Sequence, residues 1–109
     1  MGFLEGLLKS AWEYGEKMST GINGLRCTCR SFSYGHCDGK LENTGISRYK
    51  NIIIDATFKD ENGKVVDRKS TDVAILPKGE SRPFSVSTFA DDAYTVSLSI
   101  RDFEEIKPN

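Results

Sequence analysis

The sequence contains one histidine, one tryptophan, three cysteines and three prolines, and its charges nearly cancel. Each scarcity narrows the range of functions. Serine–histidine–aspartate chemistry would have to run through His36 alone, and no Gly-x-Ser-x-Gly motif is present. Fifteen basic residues stand against sixteen acidic ones, for a net charge of −1. That balance gives no general attraction to phosphate backbones or anionic lipid, so nucleic acid is not an expected partner. No apolar run approaches the ~20 residues needed to span a bilayer. At the N-terminus, Glu5 and Lys9 interrupt Phe3, Leu4, Leu7 and Leu8, so no continuous apolar stretch follows a basic start. A cytoplasmic location with reduced thiols is the expectation.

What is present is enough to fold. The 109 residues are 38% hydrophobic, with six Phe and four Tyr, which suits one domain that buries its own core. The periodicity changes once. From Phe3 to Met18 it is helical: Leu4, Leu8, Ala11, Gly15 and Met18 fall on one line, flanked by Leu7 and Trp12. Glu5 with Lys9, and Glu13 with Lys17, make i,i+4 pairs on the other face. Ser19, Gly21, Asn23 and Gly24 end the helix, which gives a helical segment over 1–20 and a linker over 21–24.

From residue 25 to residue 105 the period is two. Leu25, Cys27 and Cys29 alternate with Arg26, Thr28 and Arg30, and Ser33-Tyr34-Gly35 breaks the run. Cys37, Gly39 and Leu41 follow in the same alternation, up to a turn at Asn43-Thr44-Gly45. Ile52, Ile54, Ala56 and Phe58 form the strongest apolar face, with Ile53 hinting at partial cover on the other. Asn62-Gly63 marks a hairpin, because that pair tolerates positive φ. Short runs over 64–67 and 71–76 come next, then the turn Pro77-Lys78-Gly79-Glu80 and the alternation Phe84, Val86, Thr88. Tyr94, Val96, Leu98 and Ile100 predict the inward face of the last strand. Six to seven short strands with turn chemistry between them predict an all-β, antiparallel, immunoglobulin-like β-sandwich preceded by one N-terminal amphipathic α-helix. No helical pattern lies between the strands, which excludes a parallel sheet with crossover helices.

Residues 43–100 carry Asn43-Thr44-Gly45, Phe58-Lys59-Asp60 before Asn62-Gly63, Leu76-Pro77-Lys78-Gly79-Glu80, and Asp92-Ala93-Tyr94. In these turn and core features the stretch resembles bacterial immunoglobulin-like domains of the FxLYD type. The resemblance implies a binding or scaffolding module and not an enzyme. It is specific for fold and nearly silent on function.

The candidate sites are few. Cys27, Cys29, His36 and Cys37 can be read as soft zinc ligands. However, the Cys-x2-Cys knuckle is absent, and adjacent His36 and Cys37 project to opposite faces of a strand. The three thiols share a phase with Leu25 and Leu41, so core packing is the preferred reading. Cys27–Cys37 and Cys29–Cys37 are the disulfides open to an oxidising setting. The acidic turns Asp60-Glu61-Asn62 and Asp91-Asp92 lack the spacing of a calcium loop and serve turn geometry. Gly21 and Gly24 follow a helix, the wrong order for a phosphate cradle, and no cofactor is expected. Arg26, Arg30, Lys40, Arg48 and Lys50, interleaved with Asp38 and Glu42 near Tyr34 and Tyr49, read as a solvated mixed-charge face.

The helix carries the most functional information. A 16-residue helix is marginal alone in water, so its stripe requires a partner surface. Its polar face lacks the cationic bias of membrane-surface helices. The sequence therefore points to a non-enzymatic interaction or assembly module. It would bind a protein partner or itself through strand edges or through Leu4, Leu8, Ala11, Trp12 and Gly15. The alternative is a small zinc protein using Cys27, Cys29 and Cys37.

Overall fold

The computed structural model describes residues 20–22 and 24–108. Of the helix expected over 1–20, residues 1–19, with Leu4, Leu8, Ala11, Trp12 and Gly15, lie outside the described residues. Those described form seven antiparallel strands and no helix: β1 (Thr20–Ile22), β2 (Leu25–Ser33), β3 (His36–Asn43), β4 (Arg48–Lys59), β5 (Val65–Leu76), β6 (Ser81–Ser87) and β7 (Thr95–Ile106). They build two sheets, one ordered β1-β2-β3-β6 and the other β5-β4-β7. The all-β, two-sheet antiparallel expectation holds. Strand β1, which pairs Thr20 with Cys27 and Ile22 with Leu25, occupies the stretch read as helix end and linker.

The core lies between the sheets and follows from the alternation. Leu25, Cys27, Cys29, Cys37 and Leu41 of the first sheet meet Tyr49, Ile52, Ile54, Ala56, Phe58, Leu76 and Val96 of the second, all essentially inaccessible to water. Each fully buried Leu, Ile or Phe contributes about 1.5–3 kcal/mol. Ile53 is half-buried, as the sequence suggests.

Strand β5 runs longer than its pattern predicts, and β7 begins one residue later than its pattern predicts. The runs at 64–67 and 71–76 are one strand, β5, because Arg68, Lys69 and Ser70 continue the ladder opposite Thr57, Ala56 and Asp55. Strand β5 is an edge strand with many exposed positions, so little hydrophobic signal marks its middle. At the other edge of that sheet, Tyr94 precedes β7 and is half exposed, whereas Thr95 beside it is buried.

Three local devices set the geometry. Tyr34 and Gly35 join β2 to β3 with φ of 51° and 76°, the paired positive values of a two-residue hairpin turn. Gly39 lies directly opposite Phe84, and a Cβ there would overlap the phenyl ring, with Cε1 and Cε2 at 2.7 and 2.8 Å. Where the chain leaves β3 for the other sheet, Asn43 is buried. Its amide donates to the Ser47 and Leu76 carbonyls at 2.7 and 3.1 Å, and its side-chain oxygen accepts from the Gly45 N–H at 3.0 Å.

Candidate functional site

The strand directions sort the loops into two groups. One end of the sandwich carries the Tyr34-Gly35 turn, the turn over 60–64 and the loop over 88–94. The Thr88 N–H bonds the Gly35 carbonyl at 2.9 Å and the Tyr94 N–H bonds the Lys59 carbonyl at 2.7 Å, which ties the three together. The far end carries residues 44–47, the turn over 77–80 and the chain after β7. Here the Asn43 N–H bonds the Glu80 carbonyl and the Thr44 N–H bonds the Gly24 carbonyl. Twelve-residue β4 separates the two ends by roughly 40 Å.

The first end is aromatic and acidic. Tyr34 and Phe89 are fully exposed, at 103% and 99%, and each is the neighbour of a residue in the Gly35–Thr88 bond. Beside them is an open hollow of about 430 Å³ lined by Asp60, Glu61, Asn62, Asp91, Asp92, Ala93 and Tyr94. The two acidic turns singled out in the sequence therefore meet. Among the described residues, however, no group of three His, Cys, Asp or Glu side chains could hold a metal ion.

The far end is aliphatic and basic. A hollow of about 400 Å³ is lined by Ile46, Arg48, Pro77, Lys78, Ile106, Lys107 and Pro108. Ile46 is 71% exposed and Ile106 41%. Neither end is visible as a site in the sequence, because each is assembled from loops far apart along the chain. Tyr34 and Phe89 are the only available signal: aromatics next to turns, out of phase with any strand.

The thiols are core groups. Cys27, Cys29 and Cys37 are all free and fully buried. The Cys37 thiol donates to Cys29, with the sulfurs 2.6 Å apart. That contact lowers the Cys29 pKa and raises that of Cys37, and burial raises Cys37 further. Burial, with the Cys29 charge behind it, pushes Cys27 up to about 12. His36 projects from the opposite, exposed face of β3, so the imidazole does not join the thiols.

His36 does find partners that the sequence hid. Its Nδ1 pairs with Ser87 Oγ at 2.6 Å and its Nε2 with Asp38 Oδ1 at 3.1 Å, because Ser87 faces it across the β3–β6 ladder. The three residue types are those of a hydrolytic triad. The imidazole and carboxylate side chains are 46% and 60% exposed, so water competes for every contact in the network. The arrangement lacks the dry, preorganised surroundings that a serine nucleophile uses. The basic cluster of the sequence does not assemble: Arg26, Arg30 and Lys40 lie on one sheet, Arg48 and Lys50 on the other, and Tyr49 is buried.

Among the described residues, no helix is long and apolar enough to cross a membrane. Compared with known proteins, the chain matches no described family, no curated protein and no solved structure.

Proposed function

We propose that the chain is a non-enzymatic assembly module, built on an immunoglobulin-like sandwich, whose copies associate end to end. The acidic, aromatic end of one copy seats on the basic, aliphatic end of the next. The observation that carries this reading is that Tyr34 and Phe89, both fully exposed, stand on two turns at the same end of the fold that the Thr88–Gly35 hydrogen bond holds together. Clustered, rimmed apolar exposure marks interaction surfaces. Asp60, Glu61, Asp91 and Asp92 rim the hollow beside that pair. The far hollow offers Arg48, Lys78 and Lys107 around Ile46 and Ile106, the complement in both charge and apolar character. Contacts between unlike ends are heterologous, so they extend into chains of copies unless the rotation closes a ring.

The immunoglobulin-like reading is supported by the order β2-β3-β6 against β5-β4-β7, with the chain crossing between sheets after β3, β5 and β6. Such crossings are the Greek-key habit of these sandwiches. Asn43, in the first motif of the FxLYD resemblance, fastens one crossing.

Sedimentation velocity of the full chain over a concentration series tests the function. The expected result is growth beyond a monomer with concentration, weakened by salt because the rims are solvent-exposed charges. The double substitution Tyr34→Ser with Phe89→Ser is expected to leave a folded monomer. A wild-type chain that stays monomeric at low salt and high concentration would reject the proposal.

A further inference from the structure

We propose that Cys29 and Cys37 are a disulfide-forming pair that locks the β2–β3 hairpin, and that Cys27 is a spare thiol excluded from it. Geometry separates the three cysteines. In the β2–β3 ladder Cys29 lies opposite Gly39 and Cys37 opposite Phe32, with a bulge between Cys29 and Ser31. Both side chains point into the core on neighbouring strands, and their sulfurs already stand 2.6 Å apart. Cys27 lies opposite Leu41, two residues further along β3 from Cys37 than Gly39 is. At ~3.4 Å per residue its position is out of reach of a Cβ–Cβ separation of about 4 Å to Cys37 without backbone movement. Cys27 and Cys29 are alternate residues of one extended strand, about 7 Å apart along it, which also exceeds that separation.

The chemistry is thiol–disulfide exchange with a small-molecule disulfide of the glutathione type. One cysteine thiolate attacks a sulfur of the oxidant, forms a mixed disulfide and expels one small thiolate. The other cysteine thiolate then attacks the protein sulfur of that mixed disulfide, forms the Cys29–Cys37 bond and expels the second. The two protein thiols give up two electrons and two protons, and the oxidant takes both up as two small thiols. Both cysteines are completely buried, so exchange waits for the hairpin to open or occurs before it closes. In a reducing compartment the pair stays as thiols. Once formed, the bond joins the two strands that present Tyr34 at their turn.

The test is oxidative refolding of the full chain with oxidised and reduced glutathione, then alkylation, proteolysis and peptide mapping. The expected product is lighter by two hydrogens before alkylation, with Cys29 and Cys37 in one linked peptide and Cys27 alkylated. Cys27→Ser is expected to give the same link and Cys37→Ser none. Three alkylated cysteines after refolding with the oxidant, or a link containing Cys27, would overturn the proposal. Because the wild-type map decides by itself, a poorly folding Cys37→Ser variant does not weaken the test.

Discussion

Replacing Asn43 with Ala removes the fastener at the crossing between sheets. The amide donates to the carbonyls of Ser47 and Leu76, and its oxygen accepts from Gly45, all around a side chain 2% exposed. Alanine fills neither role and admits little water. A buried polar group left without its partner costs about 1–3 kcal/mol. Two carbonyls lose a donor and one N–H loses an acceptor, and some relaxation toward solvent is available at the partly buried Gly45. We therefore expect a loss of about 3 kcal/mol. In urea, where a small domain has a slope of about 1–3 kcal/mol per molar, the midpoint should fall by about 1–3 M. Far-UV circular dichroism of both proteins across a urea series reads this directly. Asn43→Asp sharpens the test: it keeps an acceptor for Gly45 but turns a carboxylate toward two carbonyl oxygens. Its folded-state pKa should be raised above the unfolded value, so its penalty is full above the raised pKa and relieved as pH falls below the unfolded one. An Asn43→Ala protein within about 0.5 kcal/mol of wild type, the usual range of inconsequential surface changes, would refute the reasoning.

Three further outcomes follow from the same geometry. Gly39→Ala drives a methyl into the Phe84 ring and should cost about 1–3 kcal/mol by overpacking. Adding Phe84→Leu should recover part of that loss, so that the two costs are not additive in thermal melts. The Thr88 hydroxyl donates to Asp67 at 2.6 Å and holds its carboxyl below the usual range, aided by the Arg68 N–H and Lys69 and opposed by partial burial. The stability this supplies is present above the ordinary Asp pKa and is lost as pH falls through the depressed one. Thr88→Val should move the Asp67 carboxyl back up in a carbon-13 titration, and an unmoved titration would contradict the assignment. Outside the described residues, Leu8→Ser with Trp12→Ser should lower stability or association of the full chain, read by urea midpoint and sedimentation. No change in either would remove the helix stripe from the account.

The inward faces were legible because buried strands print a period of two. Leu25, Cys27 and Cys29, the Ile52–Phe58 alternation, and Val96, Leu98 and Ile100 all lie where that period puts them. Edges were less legible. The middle of β5 is polar on both sides, because an edge strand needs only its ladder partner, and Tyr94, in phase with Val96, precedes β7 and stays half exposed. The hairpin register, which sets Cys29 opposite Gly39 and Cys27 opposite Leu41 and so leaves Cys29 nearer Cys37, leaves no mark in composition. The two ends were hidden for a similar reason. Asp60 and Asp91 share one hollow only because β4, β5, β6 and β7 return their loops to the same place. His36 and Ser87, 51 positions apart, meet through strand order alone.

End-to-end association is the central claim, and complementary variants test it most directly. One protein carries Tyr34→Ser with Phe89→Ser and keeps only its basic end. The other carries Ile46→Ser with Lys78→Glu and keeps only its acidic, aromatic end. Each alone should sediment as a monomer. Mixed in equal amounts they should form a one-to-one dimer and nothing larger, since each contributes one working end. A mixture that remains monomeric while the wild type assembles, or single variants that assemble unaided, would contradict the account.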